Sequence, residues 1–462
     1  MVKSSKVDML NGRIIPALIS FTIPVLLSSL LQVLYNTADI MVVGQFAGKE
    51  SVGAVGATSS LINLTTNFFI GLGVGVNVVV GQHIGAAKEK SVPSIVNNAL
   101  IMSLVSGVFV MGIGVFLSKQ LLSLMQTPDN ILPLASKYLF IIFLGAPALL
   151  VYNFCAAALR AYGDTKRPLI YLALSGLGNV LLNVLFVAGF GMNVDGVAIA
   201  TVISQYMAAI MVIVALLKEK SCCRIDLKNI KFNKEHVLQI IKIGAPAGIY
   251  SMLFSFANVI VQSATNSFGS AMVVSGVSAA SSLEGYVYTS MHSISIATTS
   301  FVSQNFGARR FDRIKKTVGS SLLLASSVWA FMSTIFFVFQ DYLFTLYLPN
   351  DPAAIEYGMQ RTNIIITTYF LVAFMDVATG AIRGMGHSLL TSIISLLGSC
   401  VTRVVWIYTV FYPLKEQLSV KNSLSVLYAI YPVSWIITVS ALYISYFIII
   451  KRKQKQKQKD LT

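Results

Sequence analysis

Apolar runs of bilayer-spanning length recur from one end of this chain to the other, and that pattern leaves few folds open. A helix needs about 20 apolar residues to cross the hydrocarbon layer, and about twelve such runs fall between 14–44 and 425–450. With 55% hydrophobic and 11% charged residues in 462, a soluble globular domain is excluded. Barrel strands would show short alternating segments instead. The expectation is an all-α integral membrane protein of about twelve transmembrane helices. The first run is too long for a signal-peptide core and no small-residue cleavage site follows it, so it reads as a retained span.

The net charge of +16 does not call for nucleic acid, because most of the 34 basic residues lie in every second connection. They cluster at Lys3–Arg13, Lys88–Lys90, Arg160–Arg167, Lys218–Lys242, Arg309–Lys316 and Lys451–Lys459. This positive-inside distribution puts both termini in the cytoplasm, with the plasma (inner) membrane as the location. Residues 451–462 read as a basic, disordered cytoplasmic tail near anionic headgroups. Cys155, Cys222, Cys223 and Cys400 lack metal-ligand spacing and are expected as free thiols.

An internal repeat divides the chain. Sliding the second half back by about 222 residues lays Pro24 on Pro246, Phe46 on Phe268, Val52 on Val274 and Val55 on Val277. Gln82, Gly85 and Ala86 then fall on Gln304, Gly307 and Ala308, and one residue later in offset Leu159-Arg-Ala-Tyr-Gly matches Ile382-Arg-Gly-Met-Gly. Each half holds six spans, an even number, so the two bundles are parallel and related by a pseudo-twofold axis along the membrane normal. The boundaries read as an N-terminal lobe 1–217, a charged linker 218–236, a C-terminal lobe 237–450 and the tail. Pro24, Pro147 and Pro246 lie in spans, where a missing hydrogen bond permits a kink. Gly71, Gly73 and Gly75 form a small-residue stripe for close helix packing.

One carboxylate, Asp39, sits inside the first span, and Gln32, Tyr35 and Asn36 lie seven, four and three residues before it on the same helical face. An acid at membrane depth is costly unless buried in protein or facing water, which marks a functional site by default. Asn179 and Asn183 share a face in the fifth span, as do Thr201 and Gln205 in the sixth. Together they offer hard oxygen ligands suited to Na⁺ or to a protonatable acid, although the Asn pair alone serves interhelical hydrogen bonding equally well. The second half carries its own intramembrane acids, Glu284 and Asp376, open to drug-cation binding, to a second proton relay, or to pairing with a neighbour such as Arg403. Tyr35, Phe68, Phe69, Tyr152, Phe154, Tyr250, Phe254, Met291 and Tyr369 are the aromatic and Met surface from which a lipophilic cavity is built, against the commoner role of filling the interior.

Taken in order, three features resemble the multidrug and toxic compound extrusion (MATE) family over essentially the whole chain. They are the Pro24…Asp39…Gly44 span, Gly81-Gln-x-x-Gly-Ala with its copy at Gln304, and Leu159-Arg-Ala-Tyr-Gly-Asp-Thr with its copy at Ile382. The resemblance implies an antiporter, not an enzyme, exporting lipophilic or cationic drugs by alternating access against an H⁺ or Na⁺ gradient, with no other cofactor. It implies a cation site, possible for Na⁺, at Asp39, Asn179, Asn183 and Thr201. Some relatives have an acid where Asn183 stands, and its neutrality would weaken a Na⁺ site. Others have an acid in the seventh span where this chain has Phe254, and the repeat partner of Asp39 is Val261. The partners expected are small drug-like molecules and membrane lipids, no nucleic acid, and the protein is expected as a monomer.

Three rival readings follow from the same residues. A lipid-linked oligosaccharide or lipid flippase of the same superfamily would want a strongly basic cavity, to which only Arg403 contributes. An intramembrane enzyme would need His83, His292, Glu284 or Asp376 in a paired-ligand or nucleophile motif, and none is present. A continuous channel suits the two-lobed repeat poorly. The absence of a Walker A sequence removes nucleotide hydrolysis within the chain as a power source.

Overall fold

A backbone in hydrocarbon must satisfy its polar groups internally, and the apolar runs do so as helices. The computed structural model describes residues 6–46, 49–125, 127–226, 231–349 and 351–459, with the side chains of 49, 50, 52 and 60 excepted. Parts of the linker (227–230) and of the tail (460–462) therefore lie outside the described residues. The N-terminal helices are α1 (Ile14–Phe46), α2 (Lys49–Gly85), α3 (Val92–Leu124), α4 (Leu132–Leu144), α5 (Ala146–Tyr162), α6 (Lys166–Asn183) and α7 (Val194–Leu217). They are followed by α8 (Lys234–Asn266), α9 (Ala271–Gly307), α10 (Phe311–Val338), α11 (Gln340–Tyr347), α12 (Pro352–Gly384), α13 (Ser388–Lys415) and α14 (Val420–Lys459). Among the described residues ten helices are long and apolar enough to cross a membrane, and α4 with α5 makes an eleventh, bent by 44°. The 37-residue α9 is long enough for a twelfth but is not among them.

Span four shows what its sequence does locally. Pro147 is not inside a helix but at the second position of α5, where its missing N–H costs nothing, and the bend falls at Gly145. Pro24 and Pro246 do lie within α1 and α8, and Pro432, which the periodicity does not single out, lies within α14. Two spans loosen into wider π-helical turns, Val184–Gly189 after α6 and Leu396–Val401 with Ile407–Phe411 inside α13. The tail is helical where described: α14 runs on to Lys459, as a Lys- and Gln-rich segment favours. There Gln454 accepts from Lys315 at 3.0 Å and donates to Asp312 at 3.1 Å.

Packing divides the chain into two units, one comprising the residues up to Gly12 with Ile23–Ile249, the other Arg13–Thr22 with Tyr250–Thr462. The repeat-related helices α1 and α8 are thus each shared, changing unit close to Pro24 and Pro246. Within the first unit the small-residue stripe lets α2 meet the start of α8: a Cβ on Gly71 would collide with Gly248 and one on Gly75 with the Ile240 carbonyl. Buried Asn97 and Asn98 of α3 hold the linker. Asn97 donates to the Asp226 carbonyl at 3.0 Å and accepts its N–H at 3.2 Å, while Asn98 donates to Lys231 O at 3.2 Å and accepts from Asn233 N at 2.9 Å. In the second unit the core is formed by α8, α9, α10, α11, α12, α13 and α14 around residues such as Phe344, Ile366, Phe411 and Tyr428.

Candidate functional site

Asp39 lies buried on α1 with 7% of its surface exposed, and it meets two other helices of its unit. The Asn183 side-chain amide of α6 donates to Asp39 Oδ1 at 2.5 Å and lies 3.3 Å from Asn179 Oδ1. Asn179 in turn donates to the Thr201 hydroxyl of α7 at 3.3 Å. The helical spacing of four aims both Asn side chains the same way, and Thr201 stands across from them. The structure therefore brings Asp39, Asn179, Asn183 and Thr201 into one hydrogen-bonded cluster.

The cluster has room in its bonding for one more positive group. Thr201 owns a single hydroxyl proton, with Val197 O at 2.9 Å and Asp39 Oδ2 at 3.3 Å. When that proton goes to Val197, two oxygens face each other, an arrangement relieved by a proton on the acid or a cation between them. Asn183 Oδ1 is buried without any hydrogen-bond donor, a second acceptor left over beside the carboxylate. A carboxylate with amide and hydroxyl oxygens is a donor set for a hard cation, and it also accommodates a protonated acid. Among the described residues no group of three or more His, Cys, Asp or Glu is placed to hold a metal ion.

The other residues on the Asp39 face are arranged differently. Gln32 and Asn36 are exposed. Tyr35 packs on Gly176 of α6 and donates to the Ala173 carbonyl at 3.4 Å. Gln205 points its carbonyl oxygen at the Gly145 bend, where it is buried without a hydrogen-bond donor. Tyr138 of α4, buried at 6% exposure, lies within electrostatic reach of Asp39 and was not singled out by its spacing. Tyr152 and Phe154 are buried in their unit, Tyr152 donating to the Pro168 carbonyl at 2.9 Å, and Phe68 and Phe69 form an edge-to-face pair at 5.0 Å.

In the second unit the acids have partners that one-dimensional spacing does not reveal. Glu284 of α9 accepts both fork nitrogens of Arg361 on α12, at 2.9 Å each, so its partner is Arg361 and not Arg403. Asp376 of α12 is 2.9 Å from His292 Nδ1 of α9, and its backbone carbonyl accepts from Ser295 at 2.7 Å. Met291 is 1% exposed, a core residue, and Tyr369 packs on Trp435 at 5.5 Å. Tyr250 and Phe254 of α8 are half-buried, facing Arg383 and Arg403 at 5.8 Å and 5.4 Å respectively. Val261, the repeat counterpart of Asp39, is buried and apolar.

A family model, MatE, matches residues 24–185 and again 246–409. The chain belongs to the MATE family. Its members are membrane transporters, so the protein is not an enzyme. The two matched MATE segments start 222 residues apart and end 224 apart, which is the internal repeat met from the family side. Among relatives, the chain is 29% identical over 444 residues to the "Probable multidrug resistance protein YoeA" of Bacillus subtilis, covering 94% of each chain. It is 22% identical to the "Multidrug export protein MepA" of Staphylococcus aureus, over 87% of this chain and 89% of the other. Its fold is similar to that solved as the "Outward-facing conformation of a multidrug resistance MATE family transporter of the MOP superfamily", with a TM-score of 0.89, 20% identity and coverage of 98% and 100%.

The repeated MATE motifs prove to be turns. Gly163 takes a left-handed conformation, φ +104°, that closes α5, and the Asp164 N–H returns to Leu159 O at 2.9 Å. Gly386, φ +86°, closes α12 in the same way, with His387 N on Ile382 O at 3.1 Å. Asp164 then caps α6 by accepting the Arg167 N–H at 3.1 Å and pairing with its guanidinium. The Gly-Ala copies end their helices on left-handed Ala87 and Arg309, again at matching places.

Proposed function

We propose that this MATE transporter exports lipophilic, cationic drug-like compounds from the cytoplasm, driven by the return of H⁺ or Na⁺ through Asp39. The reading rests on one observation above all: among the described residues, a buried carboxylate carries neutral donors and spare oxygens but no fixed cation. In such a place the charge has to be neutralised by something that comes and goes, either the coupling ion or the cationic substrate. Occupancy by one disfavours the other, and if each favours a different facing of the protein, the ion gradient drives export. The names of its relatives support drug-like substrates. The distribution of Lys and Arg supports inner-membrane insertion with both termini cytoplasmic, and the protein is taken to work as a monomer among membrane lipids.

The test is ethidium transport in inverted vesicles under imposed pH or Na⁺ gradients, with native protein and with Asp39→Asn. Movement of dye that follows one gradient and is lost in the variant is expected, and the responsive gradient names the ion. Dye movement indifferent to both gradients would sink the proposal.

A further inference from the structure

Arg403 is the buried charge that the exporter reading leaves unused. It sits in α13 between the two π-helical stretches and is 1% exposed. Buried charges in proteins are paired or bound by ligands, since taking a lone ion out of water is expensive. Of the described guanidiniums, the two others with 6% or less of their surface exposed are paired, Arg361 with Glu284 and Arg167 with Asp164 and Glu219, while the less buried Arg160 and Arg383 each keep one nitrogen unfilled. Among the described residues no carboxylate lies within ion-pair distance of Arg403. Nearby acids are committed elsewhere, Glu284 to Arg361 and Asp376 to His292. Arg403 instead donates through Nη1 to the Asn258 amide oxygen at 3.2 Å, and its Nε has no acceptor. Its guanidinium carbon lies over the rings of Tyr431 and Phe254, 4.5 Å and 5.4 Å from their centroids.

A guanidinium with an unfilled nitrogen offers the planar fork on which a carboxylate or phosphate binds. Asn258 is itself exposed, so the guanidinium it accepts from is one side chain beneath the surface, and Phe254 lies one turn before it on α8. We infer that the C-terminal unit binds an amphiphile by its anionic group, a carboxylate or phosphate, on Arg403, with the apolar body along Phe254 and the Asn258 amide displaced. The family offset adds to this, for Arg403 falls within one residue of the position of Asn179 in the first unit.

The test uses the purified full-length protein and two fluorescent probes of equal bulk, 1-pyrenebutyrate and 1-pyrenebutanol. Native protein should bind the acid about tenfold more tightly, the worth of one charge-assisted hydrogen bond; equal binding overturns the proposal. Arg403→Gln should remove the preference. Asn258→Asp, which supplies an internal carboxylate in place of the amide, should also remove it, and it covers the case in which the first variant fails to fold. A preference surviving in either folded variant overturns the site. Asp39→Asn should keep the preference while losing ion-driven export of ethidium, so the two proposals fail separately. Displacement of pyrenebutyrate by phosphatidylglycerol but not phosphatidylcholine in nanodiscs identifies a lipid phosphate as the occupant. Gradient-driven, Arg403-dependent uptake of pyrenebutyrate into inverted vesicles identifies an exported acid, and either source upholds the anion site.

Discussion

The first unit holds Asp39 among Asn179, Asn183 and Thr201, whereas the matching stretches of the second have Val261 for the acid and Arg403 near the place of Asn179. The backbone repeat is kept closely enough that even the left-handed residues coincide, at Gly163 with Gly386 and Ala87 with Arg309. The sign of the buried charge is not kept. Duplication has preserved what the helices need to turn and pack, while the side chains at membrane depth have diverged in charge. The second unit also spends two of its acids on fixed partners, Arg361 and His292, where the first leaves Asp39 with neutral ones. A carboxylate locked to an arginine fork has its charge balanced within the protein, whereas the hydrogen bonds of amides leave that of Asp39 unbalanced.

The comparison breaks most visibly if Glu284 proves exchangeable. Arg361→Met leaves Glu284 buried without its cation and should cost about 3–5 kcal/mol, seen as a fall in thermal stability of the purified protein. Replacing both, with Glu284→Leu added, should recover most of that loss, because an apolar pair of similar volume has no charge to desolvate. If Arg361→Met were as stable as the native protein, the pair would not be the fixed brace described here.

Asp39→Asn comes next. It should leave stability nearly unchanged, since the amide can still bond to Asn183 and Thr201, yet reduce gradient-driven export by about 100-fold, near the upper end of usual coupling energies. Asn183→Leu should give a smaller loss, about tenfold, by removing one hydrogen bond to the charged form. Arg403→Gln should change ethidium export little. A loss there as large as that of Asn183→Leu would mean the two charges serve one task.

The span pattern and the repeat were legible because hydropathy and spacing are local properties of the chain. The cluster around Asp39 was partly so: spacing of four put Asn179 with Asn183, but their meeting with Asp39 and Thr201 depends on tertiary packing that only the family resemblance suggested. The Glu284–Arg361 and His292–Asp376 pairs join residues 77 and 84 positions apart, and nothing in either helix alone selects the partner. Tyr138, within electrostatic reach of Asp39, was hidden for the same reason. The bend at Gly145 was misplaced onto Pro147 because a proline two residues into a helix starts it instead of kinking it. The helical tail was readable from Lys and Gln propensities, but its charge drew attention away from them.

The smallest effect concerns how the first unit is fastened outside the spans. Glu219, just beyond α7, pairs with Arg167 at 2.5 Å and accepts the N–H groups of Lys220 and Ser221 at 3.0 and 3.2 Å. Burial pushes its carboxyl up, but Arg167 and the two backbone donors outweigh that and hold it below the ordinary value of 4.5. A carboxyl lowered in the folded state adds stability above its unfolded value, and the contribution is lost as the pH falls through the folded one. Glu219→Gln should therefore destabilise the protein by about 1 kcal/mol at neutral pH, a modest figure because the connection is partly wet. The difference from the native protein should shrink on acidification below about pH 4.5. Thermal unfolding of both proteins at neutral and acid pH measures it. A gap that persists unchanged in acid would show that Glu219 acts through shape alone, and that the Asp164–Arg167 turn needs no outside charge to hold α6, and with it Asn179 and Asn183, in register with Asp39.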